Sequence, residues 1–185
     1  TNELGEIHIS NLPLGKYMIK EVKSLDGYAT DQKEYEIDLS YDHSDKVIYT
    51  KTLNVTNTKS TVEISKIDAT DSKELAGAHL SLYDKDNNLI EEWVSTDEPH
   101  IIRGLKINEE YRLHEDLAPL GYATASDITF TVEDDGKITQ VIMKDEIIKI
   151  DISKVDATTG EEIEGAKLTL TDKETGEVID SWTSA

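Results

Sequence analysis

Three kinds of reactive side chain recur at matching places in this sequence. Lys66 lies in "EISKIDATDSKELAGAHLSLYDKDNNLIEEW", and Lys154 lies 88 residues later in "DISKVDATTGEEIEGAKLTLTDKETGEVIDSW". Glu21, in "NLPLGKYMIKEVKSLDGYAT", stands opposite Glu115, in "GLKINEEYRLHEDLAPLGYAT". Asn57 closes "LNVTN" and Asp145 closes "VIMKD", again 88 apart and nine residues before each lysine. An amine, a carboxyl and an acyl side chain enclosed by Ile, Leu and Tyr cannot all keep their charges, because burial disfavours the ionised form of each. A neutral lysine is a nucleophile, and a neutral Asp presents a carbonyl open to attack. A second carboxyl beside it can share protons unequally and act as acid and base in turn. The ordinary alternative is a buried ion-pair network. The recurrence argues against it, as does the exchange of Asn57 for Asp145: amide and acid are interchangeable as acyl donors but not as ion-pair partners.

The elements that position these residues read as strands. "VEISKID", "AHLSLYD", "NLIEEWV", "EEYRLHE", "DITFTVE" and "ITQVIMKD" alternate apolar and polar residues and are rich in β-branched and aromatic types. Turn signals such as Asp86-Asn87-Asn88, Asp135-Gly136 and Thr159-Gly160 separate them. No amphipathic helical stretch exceeds a turn or two, so the expected fold is all-β. About seven short strands in ~90 residues make a two-sheet sandwich. The recurring order is lysine block, glutamate block, Asn/Asp block, and one stretch contains all three. Residues 59–147 are therefore expected to be a complete module, residues 1–58 the C-terminal half of a preceding one and residues 148–185 the N-terminal half of a following one. Sequence order leaves open whether those two halves complete each other between chains.

Composition narrows the partners. The chain has 185 residues, 39 Asp plus Glu against 19 Lys plus Arg, and a formal charge of -20. That charge repels phosphate backbones and anionic lipid surfaces, so no nucleic-acid partner is expected. No apolar run approaches the ~20 residues of a membrane span, so no part is expected to cross a bilayer. There is no cysteine, and rigidity must come from something other than disulfides. The first residue is Thr and no signal peptide is evident, which reads as a mature or internal piece.

The assembly "ISKIDA…ELAGAHLSLYD", "YRLHEDLAPLGY" and "VIMKD" resembles the collagen-adhesin B-type, or SpaA-like, prealbumin-like repeat domains of Gram-positive bacterial surface adhesins and pilins. Its most specific element comprises Tyr111, Leu113, Glu115, Ala118, Pro119, Gly121 and Tyr122. The earlier block keeps Tyr17, Glu21, Gly27 and Tyr28 but has Leu25 where proline is usual. The resemblance implies tandem prealbumin-like or Ig-like β-sandwich modules with a spontaneous intramolecular isopeptide bond. Lys66 would be the amine, Asp145 the electrophile and Glu115 the proton shuttle. Glu21 is the equivalent shuttle of the first partial module, and Asn57 and Lys154 are unpaired cross-link equivalents.

The function expected on these grounds is structural: a stalk segment of an extracellular, cell-wall-anchored bacterial surface protein, with neighbouring repeat modules as partners. The alternative is an adhesive module that binds a host or matrix protein directly. No enzyme activity beyond single-turnover self-cross-linking, no cofactor and no metal are expected. The acidic runs "DKDNN" and "EDD" lack the glycine and distal glutamate of a helix-loop-helix calcium site and read as solvated turns. Histidines 8, 43, 79, 100 and 114 form no pair at ligand spacing and read as surface or strand residues. "NLPLG" at 11–15 lacks the threonine, apolar tail and basic end of a sorting signal and reads as a turn before a strand. Trp93 and Trp182 share one repeat position, which favours packing.

Overall fold

The computed structural model describes residues 2, 3, 5–40 and 51–185, and His43 lies outside them. Among the described residues there is no α-helix and hence none long and apolar enough to cross a membrane. The chain divides into two compact units, Thr1–Ile147 and Ile148–Ala185.

In the first unit, β1 (Lys16–Lys20) and β2 (Glu34–Asp38) pair as an antiparallel hairpin. The bends of "NLPLG" lead directly into β1. Eight further strands follow: β3 (Thr61–Asp68), β4 (His79–Asp84), β5 (Leu89–Val94), β6 (His100–Arg103), β7 (Glu110–Leu117), β8 (Tyr122–Ala123), β9 (Ile128–Thr131) and β10 (Ile138–Ile147). They form two four-stranded sheets, ordered β6-β3-β10-β8 and β5-β4-β7-β9. The alternating segments of the sequence account for β3, β4, β5, β7, β9 and β10. The short β6 and β8 show no alternation and exist as partners at the edges of the first sheet.

Period two decides what faces inward. Along β3 the buried positions are Val62, Ile64 and Lys66, with Ile67 and Asp68 at its end; along β10 they are Val141, Met143 and Asp145. From the opposite sheet come Leu80 and Leu82 of β4 and Tyr111, Leu113 and Glu115 of β7. These apolar residues, with Ala78, Ile102, Leu105 and Val132, form one contiguous core. Burying each large aliphatic side chain there stabilises the fold by about 1.5–3 kcal/mol. Trp93 is half-buried against this core. The first and last strands of the sandwich, β3 and β10, are central neighbours and run parallel, with Met143 opposite Lys66 and Asp145 opposite Asp68.

The segment before β3 is tied onto the sandwich by its backbone. Ser60 donates its N–H to Gly27 O, Gly104 donates to Ser60 O, and Ala29 donates to Thr58 O. Asp134, in the acidic run "EDD", accepts the Thr30 N–H at 2.8 Å. Gly27 adopts φ +80°, and a Cβ built on it would lie 2.5 Å from Gly104 O.

In the second unit, β11 (Lys167–Thr171) and β12 (Val178–Thr183) form an antiparallel hairpin with a bulge at Leu170/Thr171. The β4–β5 hairpin bulges at the equivalent Leu82/Tyr83. Ser184 Oγ donates to Ile163 O and accepts the Ala166 N–H, repeating what Ser95 does with Leu75 and Ala78. Residues 149–154, which repeat the sequence of β3, form no strand. The reason is that β3 gains its ladders from β6 and β10, whereas an alternating sequence without a partner has nowhere to place its backbone bonds.

Gly27→Ala should lose the junction, because a left-handed non-Gly residue costs ~1–2 kcal/mol before the clash with Gly104 is added. Limited proteolysis should cut the variant within residues 2–58 faster than the wild type and leave 61–147 resistant. An unchanged digestion pattern would count against the packing described.

Candidate cross-link site

Lys66, Asp145 and Glu115 converge at one end of the sandwich core. Inward-facing positions of the adjacent β3 and β10 carry the lysine and the aspartate, and β7 carries the glutamate across from the opposite sheet. All three are buried, at 2%, 0% and 1% exposure. Lys66 Nζ contacts Asp145 Oδ1 directly and lies 3.0 Å from Glu115 Oε1. The other Glu115 oxygen, Oε2, accepts the Ala125 N–H at 2.6 Å, which aims the carboxyl at the lysine. The Lys66 backbone N–H donates to Glu74 Oε2 at 3.2 Å.

The electrostatics do not balance as a simple ion pair. Burial lifts the Asp145 carboxyl above the ordinary carboxylate range; Lys66 opposes that rise and the neighbouring Glu115 adds to it. Asp145 Oδ2 is buried with no hydrogen-bond partner among the described residues. An unsatisfied buried oxygen costs about 1–3 kcal/mol, and the arrangement leaves that oxygen available as a leaving group. A cavity of about 50 Å³ lined by Lys66, Ile64, Trp93 and His100 adjoins the cluster.

The earlier pair is assembled in the same way, with no lysine amine hydrogen-bonded to it among the described residues. Asn57 Nδ2 donates to Glu21 Oε2 at 2.6 Å and to Ala29 O at 3.1 Å. Asp31 N–H donates to Glu21 Oε2 at 2.5 Å, ten residues on from the glutamate, as Ala125 is from Glu115. Glu21 is half-buried and Asn57 exposed. Lys154 is exposed in the second unit.

Several supporting contacts are not legible in sequence pattern. Tyr122 Oη donates to Asp68 Oδ2 at 2.7 Å, and the Thr70 N–H donates to Asp68 Oδ1 at 2.5 Å. This links the tyrosine of the "GY" block to the end of β3. Glu74, Ala125 and Ser95 are likewise structural partners; in the sequence Glu74 recurs as Glu162 and Ser95 as Ser184. The described histidines take strand or surface places: His100 stacks on Trp93 with ring centroids 4.4 Å apart and pairs with Glu91 at 2.9 Å, and His114 Nδ1 is 2.6 Å from Asp127. In "DKDNN", Asp84 accepts the backbone N–H groups of Asp86 and Asn88, so its oxygens close the turn.

Two sheets closed over a lysine, an aspartate and a glutamate, with first and last strands side by side, make a prealbumin-like sandwich with a buried Lys–Asp–Glu cluster. The chain belongs to the SpaA family of prealbumin-like fold domains, whose pattern matches residues 1–54 and 60–147. Among solved structures it is similar to the TIE protein of Bacillus anthracis, at 24% identity and a TM-score of 0.50 over 95% of this chain and 33% of that one. It is also similar to BcpA, the major pilin subunit of Bacillus cereus, at 25% identity and a TM-score of 0.41 over 46% of this chain and 28% of that one. The shaft pilin SpaA from Lactobacillus rhamnosus GG matches at 16% identity and a TM-score of 0.45 over 74% of this chain and 64% of that one. The chain thus spans about a third of the length of the first of these. No curated protein sequence matches it significantly.

The Tyr122 hydroxyl, ahead of the Thr70 N–H, holds the Asp68 carboxyl below its ordinary value of 3.8. A carboxyl depressed in the folded state contributes stability that is complete above the unfolded value and fades as pH falls through the folded one. Tyr122→Phe should therefore lose stability at neutral pH and show a shallower further loss below pH 3.8 than the wild type. Urea unfolding at neutral and acid pH measures this, and parallel acid limbs for the two proteins would refute it.

Proposed function

We propose that this chain is a load-bearing segment of an extracellular stalk on a Gram-positive cell surface, built of tandem modules divided near residues 58 and 147. In the complete module an isopeptide bond joins Lys66 to Asp145. The observation that carries this reading is the buried contact of Lys66 Nζ with Asp145, flanked by Glu115, on the two parallel central strands.

The chemistry follows from the atoms present. The neutral Lys66 amine attacks Asp145 Cγ; a carbon–nitrogen bond forms, a carbon–oxygen bond breaks, and water leaves. Glu115 accepts the amine proton and returns it to the departing oxygen, a general acid–base role for which its distance from Nζ is suited. Folding supplies the effective concentration, because the two strands are held in register before any bond exists. The reaction is self-directed and occurs once per chain, so the module has no external substrate.

The mechanical consequence depends on topology. Parallel neighbours pulled from opposite ends are sheared, and the whole ladder between β3 and β10 resists together. A bond from Lys66 to Asp145 removes the intervening segment from the load path. Treated like a disulfide closing a loop of about 80 residues, it stabilises the fold by about 4–5 kcal/mol through the unfolded chain. That replaces what a chain without cysteine cannot obtain otherwise.

The purified chain should have an intact mass one water below that of its sequence. Lys66→Ala, Asp145→Ala and Glu115→Ala should each restore the full mass, and the first two should lower unfolding stability by at least the ~4–5 kcal/mol of the closed loop. A folded wild-type chain at full sequence mass would rule the bond out.

A further inference from the structure

We propose that Tyr122 is a specificity-determining residue of the cross-link site: its hydroxyl withholds Asp68 from reaction, so that Lys66 condenses with Asp145 alone. The inference rests on the isopeptide reading of the Lys66 cluster and adds what chooses between two candidate acyl donors.

Two aspartates stand on the inward face beside the lysine. Period two puts Asp68 on the same face of β3 as Lys66, one repeat of the pleat further on, and the parallel register sets it directly opposite Asp145. Both are buried, Asp68 at 9% and Asp145 at 0% exposure. Alternate residues of a strand are about 6.5–7 Å apart, a distance that the four-carbon stem of a lysine can bridge. Position alone therefore does not tell the amine which aspartate to join.

Their hydrogen bonds differ. Tyr122 Oη donates to Asp68 Oδ2 at 2.7 Å and the Thr70 N–H donates to Oδ1 at 2.5 Å, so both oxygens are occupied. Asp145 Oδ1 meets Lys66 Nζ, while its Oδ2 has no partner among the described residues. Donors directed at both oxygens favour the carboxylate. Tyr122 first, and then Thr70, holds Asp68 below its ordinary value, whereas burial lifts Asp145. An amine attacks the carbonyl of a neutral acid, and a carboxylate resists that attack. The tyrosine is placed for this by the sheet: β8 pairs with the end of β10, Tyr122 stands opposite Ile147, and the Tyr122 N–H donates to Pro119 O. Without the phenol hydroxyl, Asp68 is a second buried acid with a single donor. Lys66 Nζ then bonds to Asp68 Cγ, a carbon–oxygen bond breaks and water leaves. Such a bond lies within β3 and leaves β10 untied, so the choice of aspartate decides whether the cross-link carries load.

The two products share one intact mass, and trypsin separates them. A Lys66–Asp145 bond joins fragment 60–73 to fragment 145–149, whereas a Lys66–Asp68 bond leaves fragment 60–73 unbranched, uncut at Lys66 and one water lighter. The full wild-type chain should give the branched pair only. Tyr122→Phe should add the unbranched product, with selectivity for Asp145 reduced about ten- to hundred-fold, the factor that one hydrogen bond to a charged group supplies. Thr70→Pro, which removes the other donor from an exposed turn, should give the same product independently. Tyr122→Phe combined with Asp68→Ala should return the branched pair to wild-type yield, a rescue that a merely structural tyrosine would not show. The branched pair alone from both Tyr122→Phe and Thr70→Pro would overturn the inference and leave the Lys66–Asp145 bond standing. Loss of both products from Tyr122→Phe, with no rescue by Asp68→Ala, would also overturn it. A wild-type chain that yields neither product would defeat the isopeptide reading as well.

Discussion

The structure depends on the burial of one amine and two carboxyls inside an otherwise apolar sandwich. Lys66, Asp145 and Glu115 occupy positions that alternation would assign to Val, Leu or Ile, and each is almost wholly removed from water. A desolvated set of this kind is stabilised only if its charges are neutralised or its atoms are joined. Asp145 is pushed toward its protonated form by burial, and its Oδ2 is buried without a partner among the described residues. The reaction proposed here converts an expensive ion cluster into a neutral amide without changing the packing around it.

That cluster also explains the arrangement of the strands. A sandwich can place its first and last strands at opposite edges, where a cross-link would secure little. Here they are central and parallel, so a bond between them encloses nearly the whole module. Glu115 is contributed by the facing sheet, so it meets Lys66 and Asp145 only when the two sheets have packed. The proposed reaction is thereby conditional on correct folding.

The flanking segments repeat local features of the sandwich. Around Glu21 and Asn57 the hydrogen bonds of the Glu115 site recur, and the hairpin of residues 167–183 repeats that of β4 and β5. Local geometry survives because turns, bulges and serine caps are short-range. The strand repeating β3 does not survive, because it depends on partners far away in the chain. The Gly27–Gly104 contact further shows that adjoining segments can be joined by close backbone approach, with a glycine required where any side chain would strike a carbonyl.

Much was already determined by sequence alone. Alternation identified six of the eight strands of the sandwich, because inward and outward faces impose a period of two wherever one face meets the core. Repeat spacing identified Lys66, Glu115 and Asp145 as a set, since residues needed together recur together. Tertiary structure decided what spacing cannot express: that β3 and β10 lie side by side, that Glu115 is oriented by the Ala125 N–H, and that Tyr122 reaches across to Asp68. It also decided that the strand around Lys154 is not formed. Pairing across the chain is a property of the closed sheet, and a side chain's partner in it is set by register and facing, neither of which leaves a mark on the local residue order.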